Sequence, residues 1–184
     1  NSAWTAAKIW QFHGVEARVV YPPVADPAPA RPWHERASGF LAVGRIAPEK
    51  ALERVMRTLA LVHARQPSVT LTIVGTSDHW TAAYMDSLRR LAASLGPWIT
   101  FRSDLTHDEV RTLMAGTRYG LHGMLEEHFG MAPAEMVRAG MVVWVPDADK
   151  GEPSVDGSGL GEISIEPWAG GFVVSTVVDP EYTL

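Results

Sequence analysis

The chain has 184 residues, 46% of them hydrophobic and 20% charged, the proportions of a globular domain with a sizeable core. Sixteen basic and 21 acidic residues leave a formal net charge of -5, which argues against a nucleic-acid binder and leaves any anionic ligand to local groups. With no cysteine, disulfides, thiolate metal sites and thiol nucleophiles are excluded, and no run of about 20 apolar residues suggests a membrane span.

Ser2 as a cap and Gly14 as a stop predict a helix over 1–13. Ala17–Tyr21 reads as a strand. Between Pro22 and Trp33 five prolines forbid regular structure, so this stretch is an exposed connection. Gly39–Val43 is a short apolar run, a buried strand. Pro48 suits a first helical turn, and Leu52, Val55, Met56, Leu59 and Val62 recur at helical spacing behind it. Val69–Val74 is the next strand. Tyr84, Leu88, Leu91 and Leu95 mark a helix stopped by Gly96 and Pro97. Trp98–Arg102 is a strand, and Thr106 with Glu109 forms a capping box ahead of Val110, Leu113 and Met114. Arg118–Leu121 is a strand, Met131–Ala139 a helix ended by Gly140, and Met141–Val145 a strand. Trp98 and Trp144 are expected in the core, Trp4 and Trp10 packed on a helix.

Alternating strands and helices, with strands apolar throughout, predict an α/β fold: a Rossmann-like parallel sheet with helices on both faces. Ligands of such sheets bind beyond the carboxyl ends of the strands, so Gly44, Gly75 and Glu127 should open on one edge. The chain divides into 1–146 and a tail, 147–184. The tail is rich in Gly, Pro and Asp up to Gly161 and then has apolar runs at 162–165 and 171–178. Its composition is loop-like, and it is expected to be less ordered. A start inside a helix and an end without a closing helix are expected of a piece of a longer protein.

Two segments carry chemistry. Gly44-Arg45-Ile46-Ala47-Pro48-Glu49-Lys50 follows a strand and precedes a helix. A glycine admits close approach to the backbone, a helix N-terminus offers unpaired N–H groups, and two cations stand beside it. This suits a diphosphate, with Arg45 as a fork donor and Lys50 as a point charge. The alternative is a solvated turn with a Glu49–Arg45 surface pair. In the second segment, Glu126-Glu127-His128-Phe129-Gly130-Met131-Ala132-Pro133-Ala134-Glu135, Gly130 would start a helix and leave the amides of Met131 and Ala132 to an anion. Glu135 lies one turn in. A carboxylate can accept from both hydroxyls of a cis-diol such as a ribose. Two carboxylates beside a phosphate site should face neutral hydroxyls; the alternative is that both are merely solvated.

Glu127-x-Phe129-Gly130-x4-Glu135 resembles the E-x7-E signature of the retaining GT-B-fold glycosyltransferases, the glycosyl transferases group 1 family. Further marks stand in the family's order: Asn1-Ser2-x-Trp4-Thr5, Tyr21-Pro22-Pro23-Val24, Gly44-Arg45 with Glu49-Lys50, and Ile73-Val74-Gly75. The run from Gly120 through His122 to Gly130 is most similar to the mannosyltransferase branch that elongates dolichol-linked oligosaccharides on the cytosolic side. The resemblance covers about residues 1–146 and implies the donor-binding, C-terminal half of a GT-B fold. It implies that Gly44, Arg45 and Lys50 bind the donor diphosphate, that Gly130, Met131 and Ala132 face the phosphates, and that Glu135 holds the ribose. Glu127 would contact the donor sugar and His122 the sugar or phosphate. The implied donor is a GDP- or UDP-linked hexose, with mannose favoured, and no metal or other cofactor. The implied partner is an N-terminal acceptor-binding domain, in the cytoplasm, with at most peripheral membrane association. After Pro146 the sequence departs from the family's pattern of paired glycines and a Glu-Ile-Val-like stretch.

Other readings compete. Gly157-x-Gly159-x-Gly161 has neither the spacing nor the preceding strand of a dinucleotide loop. His122 and His128 with Glu126 or Glu127 could be drawn as a metal site, but that loop has another account. A non-catalytic nucleotide-binding module, or an epimerase or phosphorylase on the same architecture, would share the fold; the Glu127–Glu135 pair speaks for transfer.

Overall fold

The computed structural model describes residues 1–76, 78–125 and 127–146, together with the backbone of 163–168 and 171–176. Helix α1 (Ala3–His13) starts where the Ser2 hydroxyl accepts the Thr5 amide and stops at Gly14 in the left-handed region. Strands β1 (Ala37–Val43), β2 (Leu71–Val74), β3 (Ile99–Arg102), β4 (Thr117–Leu121) and β5 (Val142–Val145) pair in the parallel sense. Strand β7 (Gly171–Thr176) adds to β5 in parallel, and β6 (Ile163–Trp168) closes that edge antiparallel to β7. The order is β3-β2-β1-β4-β5-β7-β6. From β1 the chain moves outward to β2 and β3, then returns to lay β4 on the other side of β1. That reversal opens a crevice beyond the carboxyl ends of β1 and β4.

Helices α2 (Leu52–Arg65) and α3 (Ala82–Leu95) cover one face, where Leu52, Met56, Leu59 and Leu88 meet Ala42, Leu71 and Ile73. Helices α4 (His107–Ala115) and α5 (Met131–Arg138) cover the other, where Met114 and Met136 meet Leu41, Val74 and Val143. Leu41 and Ala42 serve opposite faces because strand side chains alternate, which is why β1 can be apolar throughout. The capping box of Thr106 and Glu109 forms as expected.

Three expectations need correction. Residues 17–21 are not a strand: Val20 and Tyr21 are exposed, and among the described residues no neighbouring strand supplies a ladder. The arm is tied down instead by the Arg138 guanidinium, which donates to the Val24 carbonyl at 2.9 Å, and by the Arg31 amide on the Ala115 carbonyl. Second, α2 does not begin at Pro48. Pro48–Lys50 is a 3-10 turn closed by the Ala51 amide on the Pro48 carbonyl, and Ala51 is left-handed at φ 46°, so the helix starts afresh at Leu52. Third, Trp10 is not packed but 59% exposed. Trp98 is in the core, and Trp144 joins Phe40 and Tyr119 in an aromatic cluster. In the tail, β6 and β7 take up much of the two apolar runs, while Gly157, Gly159 and Gly161 and the order expected of 147–162 and 177–184 lie outside the described residues.

Candidate functional site

Because the strands are parallel, Gly44, Gly75 and the loop after β4 all open at one edge of the sheet. The β1–α2 turn is clamped there: the Gly44 amide donates to the Val74 carbonyl at 3.0 Å and the Ile46 amide to the Thr76 carbonyl at 2.9 Å. A Cβ on Gly75 would stand 1.9 Å from the Gly44 carbonyl oxygen, so only glycine lets the two turns approach this closely. Above Gly44 the space is open toward a narrow cleft lined by Gly44, Arg45, Lys50, Leu52, His122 and Gly123. Gly123 packs directly on the Lys50 carbonyl, and the Arg54 guanidinium donates to the Gly123 carbonyl, locking the β4–α5 loop to the start of α2.

Three predicted residues converge in this cleft. The Lys50 ammonium donates to Glu127 Oε2 at 3.0 Å, and its Nζ also lies 3.1 Å from the Met124 sulfur. His122 Nε2 contacts the same Glu127 Oε2 at 2.8 Å, and the other carboxylate oxygen accepts the His128 amide at 3.2 Å. The His122 ring is buried, and its backbone amide is fixed by the Trp144 carbonyl on β5. Burial lowers the His122 pKa, and Lys50 adds to this while Glu127 opposes it. The ring is therefore neutral at pH 7 and donates Nε2–H to the carboxylate. Burial alone would raise the Glu127 pKa, but the hydrogen bond and charge of Lys50, helped by the contact with His122, outweigh it and hold the carboxyl below its ordinary value. Glu127 is thus an anion whose every described contact is a donor.

The loop reaches α5 through Gly130, left-handed at φ 82°, where a side chain would be strained. The Ala134 amide bonds the Gly130 carbonyl, Pro133 has no N–H, and the amides of Met131 and Ala132 are left without helical partners. Glu135 is half-buried, and its carboxylate has no hydrogen-bond partner among the described residues. Arg45 does not join the cluster: it is 73% exposed and donates to Glu49 at 2.9 Å, the surface pair foreseen as the alternative for this turn.

Contacts from distant segments were not foreseen. Trp4 on α1 packs against His128 with ring centroids 4.8 Å apart, and Tyr21 against Phe129 at 5.9 Å, so the N-terminal arm braces the site loop. Tyr84 on α3 stands in for the missing cap of α2: its hydroxyl accepts the Leu52 amide and donates to Glu53 at 2.6 Å. Burial, reinforced by Glu53, holds that phenol well above its ordinary pKa. Nothing in the local sequence marks either contact. Glu126 lies outside the described residues.

Comparison with known proteins agrees with this architecture. The family described as Glycosyl transferases group 1 matches residues 30–164. The human protein named GDP-Man:Man(3)GlcNAc(2)-PP-Dol alpha-1,2-mannosyltransferase is 29% identical over 172 residues, covering 85% of this chain and 34% of its own length. The protein of the same name from Dictyostelium discoideum is 28% identical over 162 residues, 77% of this chain and 32% of its own. The chain thus spans about a third of these relatives. Among solved structures, the pneumococcal O-GlcNAc transferase GtfA in complex with UDP and GlcNAc superposes with a TM-score of 0.60 at 14% identity, over 80% of this chain and 28% of that one. The C-terminal domain of a glycosyl transferase group 1 family protein from Francisella tularensis superposes with a TM-score of 0.56 at 17% identity, over 67% of this chain and 66% of that one. The shared fold is the Rossmann-like sheet of GT-B glycosyltransferases.

Proposed function

Since the chain belongs to the glycosyl transferases group 1 family, we propose that it is the donor-binding part of a retaining hexosyltransferase. It takes a hexose from a nucleotide diphosphate sugar and passes it to a hydroxyl acceptor held by another domain. The observation that carries this is the meeting of Lys50, His122 and Glu127 at the switch point between β1 and β4, 3.0 and 2.8 Å apart through one carboxylate oxygen. GDP-mannose is the preferred donor. The donor named in the curated relatives supports this, while the neighbour solved with UDP keeps a uridine donor in the comparison.

Each group then has a task. Lys50 and the free amides of Met131 and Ala132 at the positive end of α5 hold the diphosphate and stabilise the charge that grows on it as the sugar leaves. Gly44 leaves the space above its backbone open to the phosphates. Arg45 reaches them by leaving Glu49. Glu135 accepts from the ribose hydroxyls, and Glu127 from the sugar hydroxyls. An ionised carboxylate that accepts from sugar hydroxyls has no proton to give, so Glu127 binds and orients rather than acting as a general acid. With these cations in place the site operates without metal. The protein works in the cytoplasm, at most peripherally attached to a membrane; no described helix is long and apolar enough to cross one.

Calorimetry with GDP, UDP and GDP-mannose, beside a transfer assay, tests the proposal. The chain should bind a nucleotide diphosphate weakly, more weakly still as salt is added, and transfer no sugar, since transfer needs both reactants held in line. Failure of all three ligands to bind at millimolar concentration would remove the donor site. Transfer by the chain alone would remove the need for a second domain.

A further inference from the structure

The ion pair in the cleft joins two groups that the donor must engage separately. Lys50 is needed on the diphosphate and Glu127 on the sugar hydroxyls, yet the two hold each other at 3.0 Å. The two holders of Glu127 differ in how they are restrained. Lys50 sits on a tight turn and reaches the carboxylate along a four-carbon stem, and its other described side-chain contact is the weak acceptor Met124 Sδ. His122 meets the same Oε2 atom from the end of β4, with a side chain only 6% exposed and a backbone amide tied to β5. The His128 amide, on Oε1 at 3.2 Å, belongs to the same loop as Glu127 and cannot by itself orient the carboxylate against the cleft. One holder of Glu127 is partly exposed on a flexible stem, and the other is buried and tied to the sheet.

We propose that Lys50 and Glu127 form a donor-gated switch with His122 as its positioning residue. A bound diphosphate draws Lys50 off Glu127, and His122 keeps the freed carboxylate aimed at the sugar.

The inference rests on the nucleotide-sugar reading above. Its physical basis is a competition. A diphosphate carries more charge than one carboxylate, so it wins the ammonium. Once Lys50 leaves, Glu127 Oε2 loses a donor and regains a lone pair for a hydroxyl. Before that, the sugar subsite is occupied by the protein's own cation. Free hexose is therefore a poor ligand, and the sugar is read only when it arrives on a nucleotide diphosphate. His122 must be a donor to a carboxylate in both states, which a neutral Nε2–H imidazole supplies without adding charge beside Lys50.

Three measurements on the full chain decide this. Glu127→Gln removes the internal competitor for Lys50, so GDP should bind about tenfold more tightly than to the wild type, while the advantage of GDP-mannose over GDP disappears. His122→Phe should leave GDP affinity within about twofold and cut the GDP-mannose advantage several-fold. His122→Gln, which places an amide N–H near the position of Nε2, should restore it. A merely structural histidine would instead lower both affinities together and gain nothing from glutamine. Long-range 1H–15N spectra of the histidine ring need no ligand: His122 should be the neutral Nε2–H tautomer and stay so on addition of GDP. If neither GDP nor UDP nor GDP-mannose binds, the donor reading falls and the switch with it. If they bind but Glu127→Gln gains nothing for GDP, or His122 is charged or Nδ1–H, the switch alone is overturned.

Discussion

The outer and inner ends of the β1–α2 turn carry one cation each, in different surroundings. Arg45 stands largely in water and pairs with Glu49, four residues on in the same turn. Lys50 is one-fifth exposed and pairs with a carboxylate 77 residues away. The first contact comes from local spacing and would form on almost any turn of this shape. The second exists because the strand order lays β4 beside β1, so that two loops share one crevice. An ion pair in water adds little to stability, whereas one inside a cleft fixes where the groups stand before a ligand arrives.

Removing the frame that both ends rest on should have the largest effect. Gly75→Ala would drive a methyl to 1.9 Å from the Gly44 carbonyl, backbone against backbone, where no side chain can yield. A loss of about 3 kcal/mol or more in urea unfolding is expected, with the nucleotide site lost as the turn shifts. A variant as stable as the wild type would mean that the two turns do not need this approach.

Lys50→Met should come next, weakening GDP binding by about 1.5–3 kcal/mol, the scale of a hydrogen bond to a charged group, and flattening its salt dependence. Glu135→Ala carries the comparison onto α5. It should weaken GDP-mannose binding by about 1.5 kcal/mol, and a donor analogue without the ribose hydroxyls should be insensitive to it. Equal losses with both donors would take Glu135 off the ribose.

Much of this frame was legible because it depends on patterns of nearest neighbours. The apolar runs of β1 to β5, the period of α2 and α3 and the capping box of Thr106 all formed within a residue or two of expectation. The edge on which Gly44, Gly75 and Glu127 open followed from the βα alternation. Residues 17–21 had a strand's composition but no neighbour to bond, and composition does not report neighbours. The start of α2 was misplaced because Pro48 suits a 3-10 turn as well as a helix, and nothing at Ala51 announces a left-handed residue. In the site, the residue types were readable but their sharing of one carboxylate oxygen was not. Nor were the bracing contacts of Trp4, Tyr21 and Tyr84, which depend on the packing of distant segments.

The inner end should also respond to pH. The folded protein lowers the His122 pKa through burial, so the unfolded chain binds this proton more readily. The stability that neutral His122 contributes is present above its unfolded value of about 6.5 and is lost as pH falls toward the folded value. Glu127, also lowered, adds a second loss beginning near the unfolded carboxylate value of about 4.3. Urea midpoints should therefore fall on acidification below about pH 6.5, and His122→Gln should remove the upper part of that fall. An unchanged slope in the variant would place the titration elsewhere.

The smallest effect belongs to Arg45. With 73% of its side chain in water and a partner on the same turn, Arg45→Met should change stability by no more than about 0.5 kcal/mol. Its part in binding is limited by the same geometry. To reach the diphosphate it must leave Glu49 and order a long solvated side chain, and both costs come out of the contact it makes. GDP affinity should fall only about threefold, well short of the loss at Lys50, which stands inside the cleft rather than in water and so has less side-chain freedom to lose on binding. Glu49→Gln gives the converse check. It frees Arg45 and removes a negative charge beside the phosphate turn, so GDP should bind slightly more tightly, and the gain should vanish in high salt. If Arg45→Met costs as much as Lys50→Met, the solvated pair is only the resting pose of a full phosphate ligand, and the contrast between the two ends of the turn does not survive donor binding.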